Sequence, residues 1–341
     1  SDLLYGAAWA QTGGSQWKRS MVVGKFPQKM VERFYLDNKL PGKSVRSIAV
    51  CGNDVYFATE RGIGRFDGKK WSEVESSKAQ YFSGVSRIQC GASQGELRIG
   101  SDSGMLIIKN GKIASVSGVN KPVTAFANVK NTLLIGTTAG LYEAVSGKAS
   151  KIDAFDRYYI SDIVVAKDGT VWVGTDKGLA KYKAGKIVFF KKAADGLSGL
   201  LHDNVRCLYF DEKGTLWVGT PAGISLLNSI GTWGYITGKN GGLPYEDVLT
   251  ITGSNGIIWV GTNIGAARYD GKEWQYFQSQ EYLADDRVDA IAATKDGAWF
   301  GTPGGASKVW YKMMTLEEKA KFFEDITRKN HNRYGLVSDS D

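Results

Sequence analysis

Short apolar stretches of four to six residues alternate along most of this chain with turns rich in glycine and aspartate. One unit illustrates the pattern, with apolar stretches at 160–165, 171–175, 179–182 and 186–190. Stretches this short, bounded by turn residues, predict β-strands rather than helices. Gly178 supplies the positive φ that the tight turn between the second and third stretches requires. The unit therefore predicts four antiparallel strands in about forty residues.

A five-residue phrase marks the second strand of each unit and recurs seven times, at intervals of 36 to 45 residues. It reads Val-Trp-Val-Gly-Thr at 171–175 and Leu-Trp-Val-Gly-Thr at 216–220. The seven copies begin at Val55, Leu97, Leu133, Val171, Leu216, Ile258 and Ala298. Strand-rich repeats of this length are typical of β-propellers. We therefore expect an all-β chain of seven four-stranded antiparallel blades.

Each position of the phrase has a predicted structural role. The glycine predicts a close approach to a neighbouring strand or blade, and the threonine hydroxyl predicts a hydrogen bond that holds the following turn. The tryptophans recur at one position of the repeat, which favours packing between blades over ligand stacking. These tryptophans are Trp172, Trp217, Trp259 and Trp299.

The phrases resemble the two-component-regulator propeller repeat, a bacterial blade type of the form Leu-Trp-Ile-Gly-Thr-x-x-Gly-Leu. The segments 40–48 and 242–248 also resemble the connectors of that family. The resemblance covers roughly residues 33–311 and is strongest in the last four repeats. In the first three repeats Tyr56, Arg98 and Leu134 replace the tryptophan. The resemblance implies a seven-bladed propeller.

The two ends of the repeat array predict how the ring closes. The last repeat lacks a fourth strand, and the segment 33–36 before the first repeat is a candidate to supply it. We expect an N-terminal extension at 1–27, a propeller at 28–312 and a C-terminal helix and tail at 313–341. The alternative is an eighth, composite blade that includes residues of 1–27. The tail resembles a linker to a further domain.

The segment 315–328 predicts a helix. Thr315 and Glu318 have the spacing of a capping box, and the apolar residues fall on one helical face. These apolar residues are Leu316, Ala320, Phe323 and Ile326. Packing against the propeller is the simpler interpretation, and docking of a protein partner is the alternative. The extension 1–27 is a second candidate for self-association.

The composition limits the classes of partner. The formal net charge of +8 favours acidic partners such as polyanionic sugars or an anionic surface. The basic residues are scattered and no nucleic-acid-binding motif is present, so a nucleic-acid partner is not predicted. No apolar run reaches the ~18 residues of a membrane span.

Three cysteines are too few for a disulfide framework. Cys51 and Cys90 fall near the ends of equivalent first strands in neighbouring blades, so that one bridge is geometrically feasible. We interpret Cys51, Cys90 and Cys207 as small buried residues, and the disulfide status of Cys51 and Cys90 stays open. None of the three has the spacing of a metal ligand.

The connectors between blades contain the candidate binding residues, because these loops share one face of a propeller. Aromatic rings beside carboxylates and guanidinium groups suit a sugar or a charged small ligand. The simpler alternative is that the tyrosines only cover the loops. The candidates are Arg157, Tyr158, Tyr159, His202, Asp203, Tyr245, Tyr282, Asp286 and Arg287.

No nucleotide-binding loop, nucleophile elbow or metal-protease motif occurs in the chain, and no cofactor or metal site is predicted. We expect a non-enzymatic ligand-binding or sensory propeller, located in the periplasm or outside the cell. The first alternative is a polysaccharide lyase or hydrolase acting on an anionic glycan, with His202, Arg157 and Tyr245 as its candidate catalytic residues. The second alternative is a structural module of a larger assembly.

Overall fold

The strands of the computed structural model follow the repeat phrase closely. The structure describes residues 28–35, 40–74, 84–91, 95–183, 185–196, 198–239 and 242–315, together with 317, 318, 320, 321 and 324. Within these residues, 28 strands form seven four-stranded sheets. Each sheet corresponds to one copy of the phrase, so the predicted seven-bladed β-propeller is confirmed.

The strands are numbered in chain order. The first half of the chain contains β1 (Gln28–Phe34), β2 (Val45–Cys51), β3 (Asp54–Thr59), β4 (Ile63–Phe66), β5 (Trp71–Glu73), β6 (Arg87–Cys90), β7 (Glu96–Ser101), β8 (Gly104–Lys109), β9 (Lys112–Val116), β10 (Val123–Val129), β11 (Thr132–Thr137), β12 (Gly140–Val145) and β13 (Lys148–Lys151). The second half contains β14 (Ile160–Val165), β15 (Val171–Thr175), β16 (Gly178–Lys183), β17 (Lys186–Phe190), β18 (Cys207–Phe210), β19 (Leu216–Thr220), β20 (Gly223–Leu227), β21 (Trp233–Ile236), β22 (Val248–Ser254), β23 (Ile257–Thr262), β24 (Gly265–Tyr269), β25 (Trp274–Phe277), β26 (Ala290–Ala293), β27 (Gly297–Thr302) and β28 (Gly305–Met314). Two short helical segments lie in the connectors, a 3-10 turn at Asp153–Phe155 and the four-residue helix α1 at Ser279–Tyr282.

Blades one to six are built from consecutive strands, starting with β2–β5 and ending with β22–β25. The seventh blade combines β26, β27 and β28 with β1 from the start of the chain. The predicted closure by an N-terminal strand is confirmed, although the strand spans Gln28–Phe34 rather than 33–36. The first strands β2 and β26 contact each other and complete the ring, which leaves no place for an eighth blade.

The glycine of the phrase fits closely against the next blade. A Cβ at Gly174 would lie 2.8 Å from Val205 Cγ1, and a Cβ at Gly301 would lie 2.7 Å from Val45 Cγ1. Val205 and Val45 each precede or begin the first strand of the following blade, and both are fully buried. The predicted role of this glycine in close approach is therefore confirmed, because any side chain would push neighbouring blades apart.

The hydroxyl of the phrase closes the turn that follows it. In all seven blades it donates to the carbonyl of the residue three positions later, at 2.7 to 3.0 Å. Thr175, for example, is fully buried and donates to the Gly178 carbonyl at 2.7 Å. Because the hydroxyl is buried, this bond also satisfies a polar group that water cannot reach.

The tryptophans of the phrase pack between blades, as predicted. Trp259 is fully buried and its ring centroid lies 5.4 Å from that of Phe300 in the seventh blade. Trp299 lies 5.0 Å from Phe57 of the first blade, which joins the last blade to the first. Trp217 is also buried and donates its Nε1–H to Asp211 at 3.0 Å. These large rings fill the wedge-shaped space between adjacent sheets.

Cys51 and Cys90 form a disulfide with their Cα atoms 5.6 Å apart. The sequence left the disulfide status of this pair open and predicted that both residues are buried, whereas both are only partly buried. Cys51 ends β2 and Cys90 ends β6, and two adjacent first strands bring their ends to within bridging distance. Cys207 is free and buried, as predicted.

The predicted C-terminal helix is only partly within the described residues. Glu318 Oε2 accepts from the Thr315 N–H at 2.9 Å, and Thr315 Oγ1 accepts from the Glu318 N–H at 3.2 Å, which is the geometry of a capping box. Leu316, Phe323 and Ile326 lie outside the described residues. The helix over 315–328 therefore stays a prediction. Residues 1–27, on which the self-association hypothesis depends, lie outside the described residues as well.

Candidate functional site

The connectors that join one blade to the next all lie on one face of the propeller. The order of strands in each sheet places the end of the fourth strand and the start of the next first strand on the same side as the turn between the second and third strands. The predicted site residues come from four consecutive connectors, those leading into blades four, five, six and seven. We call this surface, contributed by residues 152–159, 191–206, 237–247 and 278–289, the connector face.

The connector into blade four combines one packed tyrosine with two exposed side chains. Tyr158 stacks on Phe189 with ring centroids 5.3 Å apart, and Lys177 Nζ lies 5.2 Å above its ring. Tyr158 is therefore part of the packing rather than a free ligand platform. The Arg157 side chain is 91% exposed, and its Nε lies 3.5 Å from Asp156 Oδ2. Tyr159 is 43% exposed, and the burial of the rest of the ring raises the pKa of its hydroxyl.

Asp176 holds Tyr159 in place. Asp176 Oδ1 accepts from the Tyr159 N–H at 3.1 Å, and the Tyr159 carbonyl accepts from the Asp176 N–H at 3.2 Å. This reciprocal pair joins the connector to the turn between β15 and β16. The backbone at Tyr159 is therefore fixed while its ring remains partly exposed.

His202 and Asp203, in the connector into blade five, are engaged with the backbone. His202 Nδ1 accepts from the Asn204 N–H at 3.0 Å, and Asp203 Oδ1 accepts from the Lys192 N–H at 2.6 Å. His202 has no contact with Arg157 or Tyr245 among the described residues. The three candidate catalytic residues are thus not assembled into a hydrogen-bonded group. The His202 side chain instead accepts a backbone hydrogen bond within its own connector.

The connector into blade six exposes Tyr245 and buries part of Asp247. Tyr245 is 45% exposed. Asp247 forms an ion pair with Arg206 Nη2 at 3.0 Å and also accepts from the Asn263 side-chain amide. Arg206 precedes β18 in blade five, so this pair joins two neighbouring connectors.

The connector into blade seven is shaped by Asp286. Asp286 Oδ1 accepts from the Ser279 N–H that begins α1, and its carbonyl accepts from the Gly265 N–H, both at 2.7 Å. Tyr282 packs edge-on against the buried ring of Phe277, with centroids 5.5 Å apart. Asp286 and Tyr282 therefore support the loop. Arg287 is exposed and its Nε donates to Asp289 at 2.7 Å.

A second polar group, which sequence reasoning missed, lies inside the central channel. Arg87 Nη2 pairs with Asp162 Oδ1 at 3.5 Å, although the two residues belong to blades two and four. Asp162 Oδ2 also accepts from the Leu208 N–H of blade five at 2.9 Å. Burial raises the pKa of the Asp162 carboxyl, and the Arg87 charge and the backbone N–H groups of Leu208 and Ile163 act in the opposite direction. The channel thus contains an ion pair between the second and fourth blades, in which the Asp162 side chain is 13% exposed and the Arg87 side chain 41% exposed.

The polar residues that line the channel occupy a recurring position of the repeat. Each first strand begins with or follows a buried valine or isoleucine, and the polar residues come one or two positions later, as in Arg87, Asp162 and Arg206. The pairing of β2, β10, β14 and β22 with their second strands shifts register at this point, between Val45 and Ser47 in β2. A β-bulge of this kind redirects side chains, so the strict alternation of a regular strand does not indicate which residues face the channel.

Comparisons with known proteins agree with this architecture. A family model described as "Two component regulator propeller" matches residues 199–222, which include His202 and the phrase at 216–220. The chain therefore carries the two-component-regulator propeller repeat, as the sequence predicted. No curated protein sequence matches the chain.

Several solved structures share the fold. The extracellular domain of a protein described as a hybrid two-component system from B. thetaiotaomicron superposes with a TM-score of 0.69 at 20% identity, over 83% of this chain and 40% of that chain. A second such domain from the same organism gives a TM-score of 0.67 at 18% identity, over 82% of this chain and 42% of that chain. Virginiamycin B lyase from Staphylococcus aureus gives 0.66 at 14% identity, over 83% of this chain and 99% of that chain. This chain spans about two fifths of the length of these two extracellular domains. At these identities the likeness shows a common fold.

Proposed function

We propose that this protein is an extracytoplasmic ligand-binding or sensory propeller that recognises a carbohydrate or an anionic ligand on its connector face. The main observation is that Tyr159, Tyr245 and Arg157 leave much of their side chains exposed on consecutive connectors. Their backbones are carried by a rigid ring of sheets, which favours recognition with little loss of entropy. Partly exposed tyrosine rings beside a guanidinium suit stacking on a sugar and pairing with an acidic group.

Two observations support a location outside the cytoplasm. The disulfide between Cys51 and Cys90 is of a kind that persists in oxidising compartments and is rare in the cytosol. The structural neighbours from B. thetaiotaomicron are extracellular domains. Among the described residues, the helices are too short and too polar to cross a bilayer.

A glycan-binding measurement tests the proposed site. The wild-type protein is screened against heparin, hyaluronan, alginate and dextran, and any binder is then titrated against a Tyr159→Ala/Tyr245→Ala variant. The matched control is Ile230→Ala, which truncates an apolar side chain that is 84% exposed in the turn between β20 and β21, on the opposite face of the propeller. We expect the double variant to bind at least tenfold more weakly and the control to bind like the wild type. Equal affinity of all three proteins for every binder would rule out the connector face.

A further inference from the structure

The central channel encloses a cavity of about 410 Å³, lined by residues from the first strands of all seven blades. This volume lies in the lower part of the ~300–1,000 Å³ range of small-molecule sites. Its wall includes the charged side chains of Arg87, Asp162, Arg206 and Asp289. Arg206 and Asp289 belong to both surfaces, so the cavity opens next to the connector face, but Arg157, Tyr159 and Tyr245 do not line it.

The carboxylates of this wall already have donors from the protein itself. Asp162 Oδ2 accepts from the Leu208 N–H and Asp162 Oδ1 from the Ile163 N–H, both at 2.9 Å. Asp289 Oδ1 accepts from Arg287 Nε at 2.7 Å. The negative charges are therefore stabilised without any further cation, and the cavity does not favour a positively charged ligand.

The guanidinium groups of the wall are less fully engaged. Arg206 Nε is buried and has no hydrogen-bond partner among the described residues, and the ion pair of Arg206 with Asp247 uses only Nη2. Among the described residues, Arg87 Nη2 pairs with Asp162 at the long distance of 3.5 Å, and the Arg87 side chain is 41% exposed. A buried charged donor without an acceptor is costly, which favours an anionic group beside it.

The two arginines act on the same part of the channel. The Arg87 guanidinium contacts Asp162, which in turn accepts from the backbone of Leu208, two residues after Arg206. Burial and the Asp162 charge raise the pKa of the Cys207 thiol, while Arg87 and Arg206 both lower it. Both guanidinium groups therefore lie within electrostatic range of one residue, Cys207, which itself lines the cavity.

The wall also offers acceptors and hydroxyl groups. Gln89 Oε1 is buried and has no hydrogen-bond partner among the described residues, so it requires a donor. Tyr209, Thr250 and Thr252 line the same cavity and contribute hydroxyl groups. A bare inorganic anion cannot donate to Gln89, whereas a hydroxylated organic acid can.

We propose that the channel binds a small hydroxylated carboxylate of monosaccharide size, such as a sugar acid, with Arg87 and Arg206 holding the carboxylate and Gln89 accepting from a hydroxyl. Planar guanidinium groups match a carboxylate through paired N–H donors. This inference rests on the proposed ligand-binding function, for which it names a ligand class and a binding place inside the ring.

Calorimetric titration with three probes tests the ligand class. D-Glucuronate has both the carboxylate and the hydroxyls, D-glucose has only the hydroxyls, and acetate has only the carboxylate. We expect glucuronate to bind at least tenfold more tightly than either of the others. Equal binding of glucose and glucuronate, or no binding of glucuronate, would overturn the proposal.

Matched variants test the residues. Arg206→Gln is expected to weaken glucuronate binding at least tenfold. The control is Arg46→Gln, which changes the exposed arginine at the same repeat position in the first blade, directly after Val45 as Arg206 directly follows Val205. Arg206→Lys keeps the positive charge but loses the paired N–H donors of the guanidinium. This variant tests the same assignment if the glutamine variant does not fold. Unchanged affinity in a folded Arg206 variant would contradict the assignment.

A further variant separates this proposal from that of the connector face. The Tyr159→Ala/Tyr245→Ala protein is expected to bind glucuronate like the wild type, because neither tyrosine lines the cavity. If that variant loses glycan binding and no protein binds glucuronate, the channel proposal is overturned and the connector-face proposal stands. Glucuronate binding that depends on the two tyrosines would place the ligand on the connector face instead.

Discussion

Arg87 of the second blade reaches past the first strand of the third blade to pair with Asp162 of the fourth, with Arg87 Nη2 3.5 Å from Asp162 Oδ1. Asp162 in turn accepts from the Leu208 N–H of the fifth blade. One buried carboxylate thus connects three blades across the channel. Because the Arg87 side chain is 41% exposed, water screens the ion pair, and the pair adds little net stability by itself. Titration of the Asp162 carboxyl should nevertheless affect how the free energy of unfolding depends on pH.

Asp162→Asn is expected to change how stability depends on pH. Because the folded-state pKa of Asp162 is raised, the folded protein binds this proton more strongly than the unfolded chain does. The resulting stabilisation is present below the ordinary carboxyl pKa of roughly 3.9 and is lost as the pH rises through the folded-state pKa. We therefore expect the free energy of unfolding of the wild type, relative to the variant, to fall as the pH rises above the ordinary carboxyl pKa, as measured by urea unfolding.

The control for this experiment has the opposite sign. The backbone N–H groups of Glu273 and Lys272 lower the pKa of the exposed Asp270 carboxyl. Its contribution is present above the ordinary carboxyl pKa and is lost as the pH falls. The difference in free energy of unfolding between the wild type and Asp270→Asn should therefore disappear as the pH is lowered. Parallel pH curves for the wild type and Asp162→Asn would contradict the role given to Asp162.

Gly174→Ala is expected to destabilise the protein by about 1–3 kcal/mol, which is the usual cost of overpacking. The added methyl group would lie 2.7 Å from Ser161 Oγ and 2.8 Å from Val205 Cγ1. Gly234→Ala is the matched control, because its methyl group would meet Leu226 at an ordinary 3.7 Å. Urea unfolding of both variants measures the difference. Equal stability of the two would show that the ring tolerates a wider spacing of blades.

Reduction of the Cys51–Cys90 disulfide is expected to lower the free energy of unfolding by about 2–4 kcal/mol, since the bond closes a chain segment with a sequence separation of 39. Urea unfolding with and without dithiothreitol measures this loss. A Cys51→Ser/Cys90→Ser variant should match the reduced wild type and show no response to the reductant. A wild-type protein whose unfolding is insensitive to reductant would mean that the bond does not form.

His202→Ala is expected to change stability by no more than about 0.5 kcal/mol, the usual range for an exposed residue. Among the described residues, the hydrogen bond that the change removes is the one from the Asn204 N–H to His202 Nδ1. Incubation with uronate polymers, followed by absorbance of unsaturated products, tests the lyase alternative in the same proteins. Turnover by the wild type that disappears in His202→Ala would show that the histidine is catalytic.

The sequence predicted the blade with accuracy because every part of the repeat has a local physical cause. The turn after Thr175 requires a glycine at 178, and the buried threonine hydroxyl needs the carbonyl three residues later. The candidates on the connector face were harder to rank. Tyr158 and Tyr282 pack on Phe189 and Phe277, whereas Tyr159 and Tyr245 remain largely exposed. A tyrosine in a loop has the same sequence signature in both situations.

The fold class, the number of blades and the structural roles of the phrase were determined by the sequence, because they depend on contacts within about forty residues and on a pattern repeated seven times. Only the tertiary structure brought together residues from different blades. The disulfide between Cys51 and Cys90, the pairing of Arg87 with Asp162 and the cavity they border all arise when the ring closes. Ring closure places distant first strands side by side around one axis, and no local pattern specifies which of their side chains then meet.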